Sequence, residues 1–251
     1  MEPVSLYSKD YNVEVNHVDF NGILKLSSLF TYFQDIAGLH AENLGMGMKT
    51  LYKNHGVLWV LARIRVDIVR YPMWNEKITI ETWPQEPNKI EFMRDFLVKD
   101  TQGNILAKAV STWVIIDEET RRIKKTQSIY TEYPLTVKER AICCKLGNLK
   151  PEGQLELVYK RKVMYSDIDI NGHLNNSKYV DFIMDSFNFD DHKKYRIKSI
   201  EVNYSNEALP GDIINIYRDI SELDSKTVYM EGNDEKGKKL IFKAQIKIEE
   251  K

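Results

Sequence analysis

The chain has 251 residues, of which 43% are hydrophobic and 29% are charged, and its formal net charge is −1. This length fits one large domain or two of ordinary size, and the composition supports packed cores rather than extensive disorder. The near-neutral charge excludes a strong electrostatic field for binding nucleic acid or an anionic membrane.

The expected compartment follows from features that the sequence lacks. Residues 1–10 have no apolar h-region of a secretory signal, and the longest apolar run, residues 57–62, is far shorter than the roughly 20 residues that span a bilayer. The two cysteines, Cys143 and Cys144, are adjacent and offer no disulfide framework. We therefore expect a bacterial, cytoplasmic protein without a membrane span.

The chain contains an internal repeat. Residues 18–24 align with residues 168–174 at an offset of 150, with Asp, Asn, Gly and Leu in register. Residues 75–80 align with residues 211–216 at an offset of 136, and a weaker third match lies further on. Because the three matches occur in the same order, they predict a duplicated structural unit.

Each copy is predicted to begin with a short strand and a turn, and to continue with an amphipathic helix and antiparallel strands. Apolar residues at helical spacing define the helices: Leu26, Leu29, Phe33 and Ile36 in the first copy, and Tyr179, Phe182, Ile183 and Phe187 in the second. Ser27 and either Asn175 or Asn176 are predicted as helix N-caps. The strands are predicted at residues 60–69, 77–83, 91–100 and 105–117, and then at 197–204, 213–221, 227–233 and 240–249.

This order of elements predicts an α+β fold in which each of two halves is a long helix wrapped by an antiparallel sheet. The halves are predicted as residues 1–125 and 156–251. Residues 126–155 contain two prolines and two glycines and are predicted to be the connector.

The two copies differ at positions that could carry chemistry. Ile23 stands opposite His173 at the first offset, and Tyr71 stands opposite Glu207 at the second. The first copy therefore has the scaffold without these titratable groups, and the second copy is predicted to be the catalytic one. Glu207 by itself would be taken for a surface acid. Its assignment to the catalytic site therefore depends on this register and on the family resemblance below.

Asp169, Asn171 and His173 are spaced two apart, and in an extended segment they would project to one side. An imidazole is the usual general base, a carboxylate can orient it, and an amide or the following helix N-terminus can stabilise an oxyanion. The alternative is a helix-initiating turn, which Asp19 and Asn21 keep without the histidine. Both roles stay open for Asp169 and Asn171, whereas His173 is predicted to be functional.

Three stretches carry a resemblance to a known family: residues 94–122, residues 166–179, and Glu207-Ala208 before Gly211-Asp212. Together they resemble the acyl-acyl carrier protein (acyl-ACP) thioesterases, the plant plastid enzymes and their shorter bacterial relatives. The resemblance implies a tandem (double) hotdog whose first half forms most of the acyl pocket. It implies a site formed by four residues: Asp169, Asn171, His173 and Glu207. The plant enzymes have a cysteine where this chain has Ala208, so we expect no cysteine nucleophile there.

The implied activity is hydrolysis of the thioester of fatty acyl-ACP, which releases a free fatty acid and ends chain elongation. The alternatives are an acyl-CoA thioesterase, a hotdog hydratase or dehydratase, and a non-catalytic acyl-binding regulator. The sequence has no zinc-type cluster, phosphate loop or dinucleotide fingerprint, so we predict neither a metal nor a cofactor. The predicted partner is the acyl carrier protein, and the chain is expected as a monomer of two hotdogs or as a homodimer.

Two mechanisms are compatible with these residues. In the first, His173 is oriented by Glu207 or Asp169 and removes a proton from the attacking water, while Asn171 and a backbone N–H near the helix start hold the oxyanion. In the second, Asp169 is the nucleophile and forms an anhydride.

A carrier-protein partner predicts a basic docking surface, because carrier proteins are acidic. The candidates are two clusters, one of Arg121, Arg122, Lys124 and Lys125, and one of Lys160, Arg161 and Lys162. A solvated strand end is the alternative for either cluster.

Overall fold

The computed structural model describes residues 2–129, 136–219, 221 and 226–251. The chain divides into two compact units: Met1–Ile64 with Val69–Lys145 (unit 1), and Arg65–Ile68 with Leu146–Lys251 (unit 2). Among the described residues, no helix is both long and apolar enough to cross a membrane.

In its described residues, unit 1 combines antiparallel strands with two α-helices. Its strands are β1 (Tyr7–Asn12), β2 (Val57–Ile68, of which the last four residues count with unit 2), β3 (Lys77–Pro84), β4 (Phe92–Asp100) and β5 (Ile105–Asp117). Its helices are α1 (Leu26–Asn43) and α2 (Met48–His55). The strand order is β1-β3-β4-β5-β2, and the pairs β1–β3, β3–β4 and β4–β5 are antiparallel.

Unit 2 has the same arrangement of strands. Its elements are β6 (Leu155–Lys162), α3 (Asn176–Met184), α4 (Phe189–Lys194), β7 (Tyr195–Tyr204), β8 (Ile213–Asp219), β9 (Thr227–Asp234) and β10 (Leu240–Glu250). The strand order is β6-β8-β9-β10-β7, with every neighbouring pair antiparallel. The antiparallel sheets with few helices agree with the predicted α+β class, and the predicted strand bounds differ from the observed ones by three residues at most.

Helix α1 packs its predicted apolar face in unit 1. Leu26, Leu29, Phe33 and Ile36 are all buried, and the ring centroids of Phe33 and Phe96 of β4 lie 4.8 Å apart. Full burial of each such side chain is worth about 1.5–3 kcal/mol. The apolar periodicity of the sequence therefore identified the face that holds the helix in its unit.

The helix of unit 2 is shorter than predicted. Three residues of the predicted stripe are buried: Tyr179, Phe182 and Ile183. Helix α3 nevertheless ends at Met184, and Phe187 is half-buried beyond that end. The Ser186 hydroxyl donates to the Ile183 carbonyl, and Asn188 caps α4, so the chain turns here. The prediction of a long helix was thus wrong for the second half.

The predicted N-caps have different outcomes. The Asn175 side chain accepts a hydrogen bond from the Ser177 N–H and caps α3, as predicted. Helix α1 follows Lys25, whose side chain makes no capping bond, and Ser27 lies inside that helix. The cap prediction for Ser27 was therefore wrong.

A buried histidine–arginine pair joins α1 to β4 and to the N-terminal segment. The Arg94 guanidinium donates to His40 Nδ1 at 2.9 Å, so this nitrogen carries no proton. The other ring nitrogen, Nε2, donates to the Val4 carbonyl at 2.8 Å. Burial, and then the charge of Arg94, lower the pKa of His40 to about 4, so the ring is neutral at pH 7.

Parts of the predicted connector pack on each unit. In unit 1 the buried Asp95 carboxylate accepts hydrogen bonds from Arg140 Nε at 3.0 Å and from the Ala141 N–H at 2.9 Å. In unit 2 the Lys243 ammonium donates to the Leu149 carbonyl at 3.0 Å. Pro134, which contributed to the connector prediction, lies outside the described residues. The predicted domain boundaries and the roles given to the two halves stay predictions.

Candidate active site

Residues 168–174 form a tight turn that the Asp169 side chain closes. Asp169 Oδ1 accepts hydrogen bonds from the backbone N–H of Asn171 at 2.8 Å and of His173 at 3.2 Å. Gly172 has a φ of +80°, in the left-handed region that favours glycine. These residues therefore form the helix-initiating turn, one of the two predicted alternatives, and not an extended segment.

The first copy folds into the same turn without the histidine. Asp19 Oδ1 accepts from the N–H of Asn21 at 2.8 Å and of Ile23 at 3.3 Å, and Gly22 has a φ of +73°. Turn formation alone thus accounts for the aspartate and the asparagine in both copies. It does not account for the histidine, because Ile23 serves the turn equally well.

The backbone also fixes the register that positions Glu207. The Leu174 N–H donates to the Ala208 carbonyl at 2.9 Å, and in the first copy the Leu24 N–H donates to the Pro72 carbonyl at 2.8 Å. The two acceptors are related by the 136-residue offset found in the sequence. Glu207 therefore occupies the place that the aligned tyrosine has in the first copy.

The structure brings His173 and Glu207 together. His173 Nε2 lies 3.5 Å from Glu207 Oε2, and the two side chains are 28% and 39% exposed. An ion pair this exposed contributes only about 0–1 kcal/mol to stability. A carboxylate at this position can fix the tautomer of the ring and stabilise its cation. The Asp169 carboxylate, in contrast, binds the backbone N–H of His173.

The predicted oxyanion donors are partly engaged. Asn171 Nδ2 donates to Asp169 Oδ2 at 3.3 Å, which uses one of its two hydrogens. At the start of α3 the Ser177 N–H donates to Asn175 Oδ1 at 2.9 Å. The second amide hydrogen of Asn171 is the one that a substrate oxygen could take.

Tyr179 is a neighbour of the site that the sequence analysis assigned only to the core. Burial raises the pKa of its hydroxyl above the usual value, and the nearby Glu207 and Asp169 carboxylates raise it further. The aligned residue of the first copy is Leu29, so this hydroxyl is a further polar group that only the second copy has. Comparison of the two copies would have singled it out.

The two predicted basic clusters differ in geometry. All members of the first cluster are exposed: Arg121, Arg122, Lys124 and Lys125. In the second cluster Lys160 and Lys162 are exposed on β6. The Arg161 guanidinium instead lies 5.0 Å from the ring centroid of Phe182 in α3. Side chains alternate along a strand, so Arg161 faces the opposite side of β6 from Lys160 and Lys162, although its side chain is 41% exposed.

Two family models match the chain. The model of the acyl-ACP thioesterase N-terminal domain matches residues 4–133, and the model of the acyl-ACP thioesterase C-terminal domain matches residues 152–250. Together they cover most of the chain.

The curated relatives include plant proteins that are longer than this chain. Oleoyl-acyl carrier protein thioesterase 2 of Arabidopsis thaliana is 26% identical over 233 residues, which cover 86% of this chain and 63% of the relative. Palmitoyl-acyl carrier protein thioesterase of Gossypium hirsutum is 23% identical over 238 residues, which cover 88% and 56%. The chain thus spans less than two thirds of the length of these relatives.

Solved structures match over nearly the whole chain. An acyl-ACP thioesterase from Bacteroides thetaiotaomicron has a TM-score of 0.88 and 28% sequence identity, with 98% of each chain covered. A 12:0-ACP thioesterase from Umbellularia californica has a TM-score of 0.83 and 20% identity, with 99% of this chain and 98% of the other covered. At that lower identity the second match shows the fold alone.

Proposed function

The chain belongs to the acyl-ACP thioesterase family, and from this membership we propose that it hydrolyses the thioester of a fatty acyl-ACP. Water adds to the acyl carbonyl and the C–S bond breaks. The products are a free fatty acid and the thiol of the carrier protein, so chain elongation ends. The absence of a cofactor from this reaction and the bacterial, cytoplasmic location stay predictions from the sequence.

One observation carries the proposal beyond family membership. The His173–Glu207 pair is present only in the second copy, and His173 lies on a turn that the first copy forms with Ile23. The pair is also too exposed to contribute much to folding. An imidazole beside a carboxylate is suited to general-base catalysis, and nothing in the turn itself requires it.

The proposed mechanism gives each residue one role. Glu207 accepts the Nε2–H hydrogen of His173, which leaves Nδ1 to take the proton of the attacking water. The 3.5 Å separation is expected to shorten when substrate is bound, as catalytic hydrogen bonds often do. Asp169 holds the loop through backbone N–H groups, and Asn171 donates its second amide hydrogen to the oxyanion.

Each unit is proposed to be one hotdog. Support comes from the strand order, since β1-β3-β4-β5-β2 in unit 1 corresponds to β6-β8-β9-β10-β7 in unit 2. We further propose that unit 1 forms most of the acyl pocket. An apolar cluster in that unit, which includes Met46, Phe92 and Ile115 with Trp59 and Trp113 against it, supplies candidate walls.

The proposal is tested with a panel of acyl groups attached to acyl carrier protein or to CoA. We expect the protein to release free thiol and fatty acid, with higher kcat/KM for the carrier-bound substrates. Higher kcat/KM on CoA would make acyl-CoA the substrate. Water addition to an enoyl substrate without thioester cleavage would favour a hydratase. Failure to hydrolyse any thioester in the panel would contradict the proposal.

A single turnover in ¹⁸O-labelled water distinguishes direct attack by water from the alternative route through an Asp169 anhydride. We expect the label in the fatty acid and not in the Asp169 carboxylate, because that carboxylate is held by two backbone N–H groups. Mass spectrometry of the peptide containing Asp169 measures this, and the peptide containing Asp19 is the matched control with the same turn. Label in Asp169 but not in Asp19 would support the covalent route and contradict ours.

A further inference from the structure

A lysine-bearing turn between β9 and β10 of unit 2 is hydrogen-bonded to a segment of the candidate site. This lysine turn, residues 234–240, contains the exposed Lys236, Lys238 and Lys239. The Lys239 ammonium donates to the backbone carbonyl of Glu207 at 3.0 Å. The Asn206 side chain donates to the Leu240 carbonyl at 2.7 Å. These two hydrogen bonds hold the turn beside the segment that carries the proposed catalytic glutamate.

The lysine turn has a defined backbone. Asp234 Oδ1 accepts hydrogen bonds from the N–H of Lys238 at 2.6 Å and of Lys239 at 2.8 Å. Gly237 donates its N–H to the Asp234 carbonyl and has a φ of +66°. The aspartate and the glycine therefore form the turn, and the lysine side chains are not needed for it.

The first copy has the corresponding turn without lysines. Asp100 Oδ1 accepts from the N–H of Gln102 and of Asn104, both at 2.9 Å, and Gly103 has a φ of +85°. No residue between Asp100 and β5 is basic. The lysines thus follow the same rule as His173, because they occur only in the copy that carries the proposed chemistry.

We propose that the lysine turn docks an acidic acyl carrier protein, with Lys236 and Lys238 binding its surface carboxylates. This inference depends on the proposed function. Lys239 is not proposed as a docking residue, because its ammonium already binds the Glu207 carbonyl. Charges at the rim of an interface mainly change association and its salt dependence, whereas they leave the chemical step unchanged.

The position of the lysine turn distinguishes it from the basic clusters predicted from the sequence. The turn is bonded directly to the Glu207 backbone. Lys160 and Lys162 lie on β6, and the residue that follows this strand, Val163, donates its N–H to the Asp212 carbonyl and not to Glu207. The arm of a carrier protein must deliver its thioester to His173, so a dock at the turn places the protein body beside that residue.

The test compares two double variants with equal changes in charge: Lys236→Gln with Lys238→Gln, and Lys160→Gln with Lys162→Gln as the matched control. We expect the first to raise KM for acyl-ACP by about tenfold while kcat stays within about twofold of wild type. Its kcat/KM for a small acyl thioester, acyl-N-acetylcysteamine, should not change. The salt dependence of KM for acyl-ACP should become weaker.

Binding of fluorescently labelled, unacylated carrier protein to both variants gives a second measurement that needs no turnover. Weaker binding by the lysine-turn variant alone supports docking at the turn. Equal binding by wild type and this variant overturns it, as does a larger effect of the β6 variant. The proposed function fails separately, when the wild-type protein hydrolyses neither acyl-ACP nor acyl-N-acetylcysteamine.

Discussion

Replacing His173 by glutamine is expected to lower kcat for acyl-ACP by about 10²–10⁴-fold, the range that a positioned general base contributes. This loss corresponds to about 3–5 kcal/mol of transition-state stabilisation. Glutamine remains polar but cannot accept the proton of the attacking water at neutral pH. The turn should stay intact, because Asp169 binds the backbone N–H of His173 and not its ring. We therefore expect KM to change little.

The matched control is His192→Gln in α4 of the same unit. The His192 ring interacts with the Met184 carbonyl through Nε2 at 3.1 Å. This variant removes one imidazole from unit 2 without touching the proposed site, so its kcat should remain close to wild type. Thermal unfolding of both variants separates loss of chemistry from loss of fold. A His173→Gln protein that is folded and turns over within about threefold of wild type would refute the assignment.

Replacing Glu207 by glutamine is expected to lower kcat by about 10²-fold, because the ring loses the charge that stabilises its cation and fixes its tautomer. We expect a smaller loss of kcat than for a fully buried carboxylate, because the Glu207 side chain is 39% exposed and water screens its interaction with His173. The hydrogen bond from Lys239 should survive, because it reaches the backbone carbonyl and not the carboxylate.

A double variant tests whether Glu207 acts through His173. If Glu207 acts through His173, the double variant His173→Gln with Glu207→Gln should be no slower than His173→Gln alone. Glu156→Gln, an exposed glutamate on β6 of the same unit, is the control and should leave kcat unchanged. Independent, multiplicative losses in the double variant would show that Glu207 does not work through the imidazole.

The local patterns in this sequence determined most of the secondary structure. Strands were identified within three residues of their bounds because side chains alternate along a strand and because Gly and Asp residues mark the turns. The repeat was visible because the turn at Asp19 and the turn at Asp169 need the same residues for the same hydrogen bonds. The α1 face was identified by its helical spacing.

Two features differ from the sequence pattern because another contact competes with it. The end of α3 is set by Ser186 and by the cap at Asn188, which compete with an apolar stripe that would have continued. Arg161 faces the opposite side of β6 from Lys160 and Lys162 because side chains alternate along a strand, and its guanidinium lies over a ring of α3. Sequence spacing alone gives no weight to such competing contacts.

The sequence by itself determined the duplication, the antiparallel strands and the identity of the copy that has a histidine. It also determined the turn, because a turn is built from hydrogen bonds among residues that are close along the chain. Only the tertiary structure decided which carboxylate faces the imidazole and that the lysine turn is bonded to the Glu207 backbone. Those contacts join residues that are distant in sequence, and their distances depend on how the strands pair and on where each strand ends.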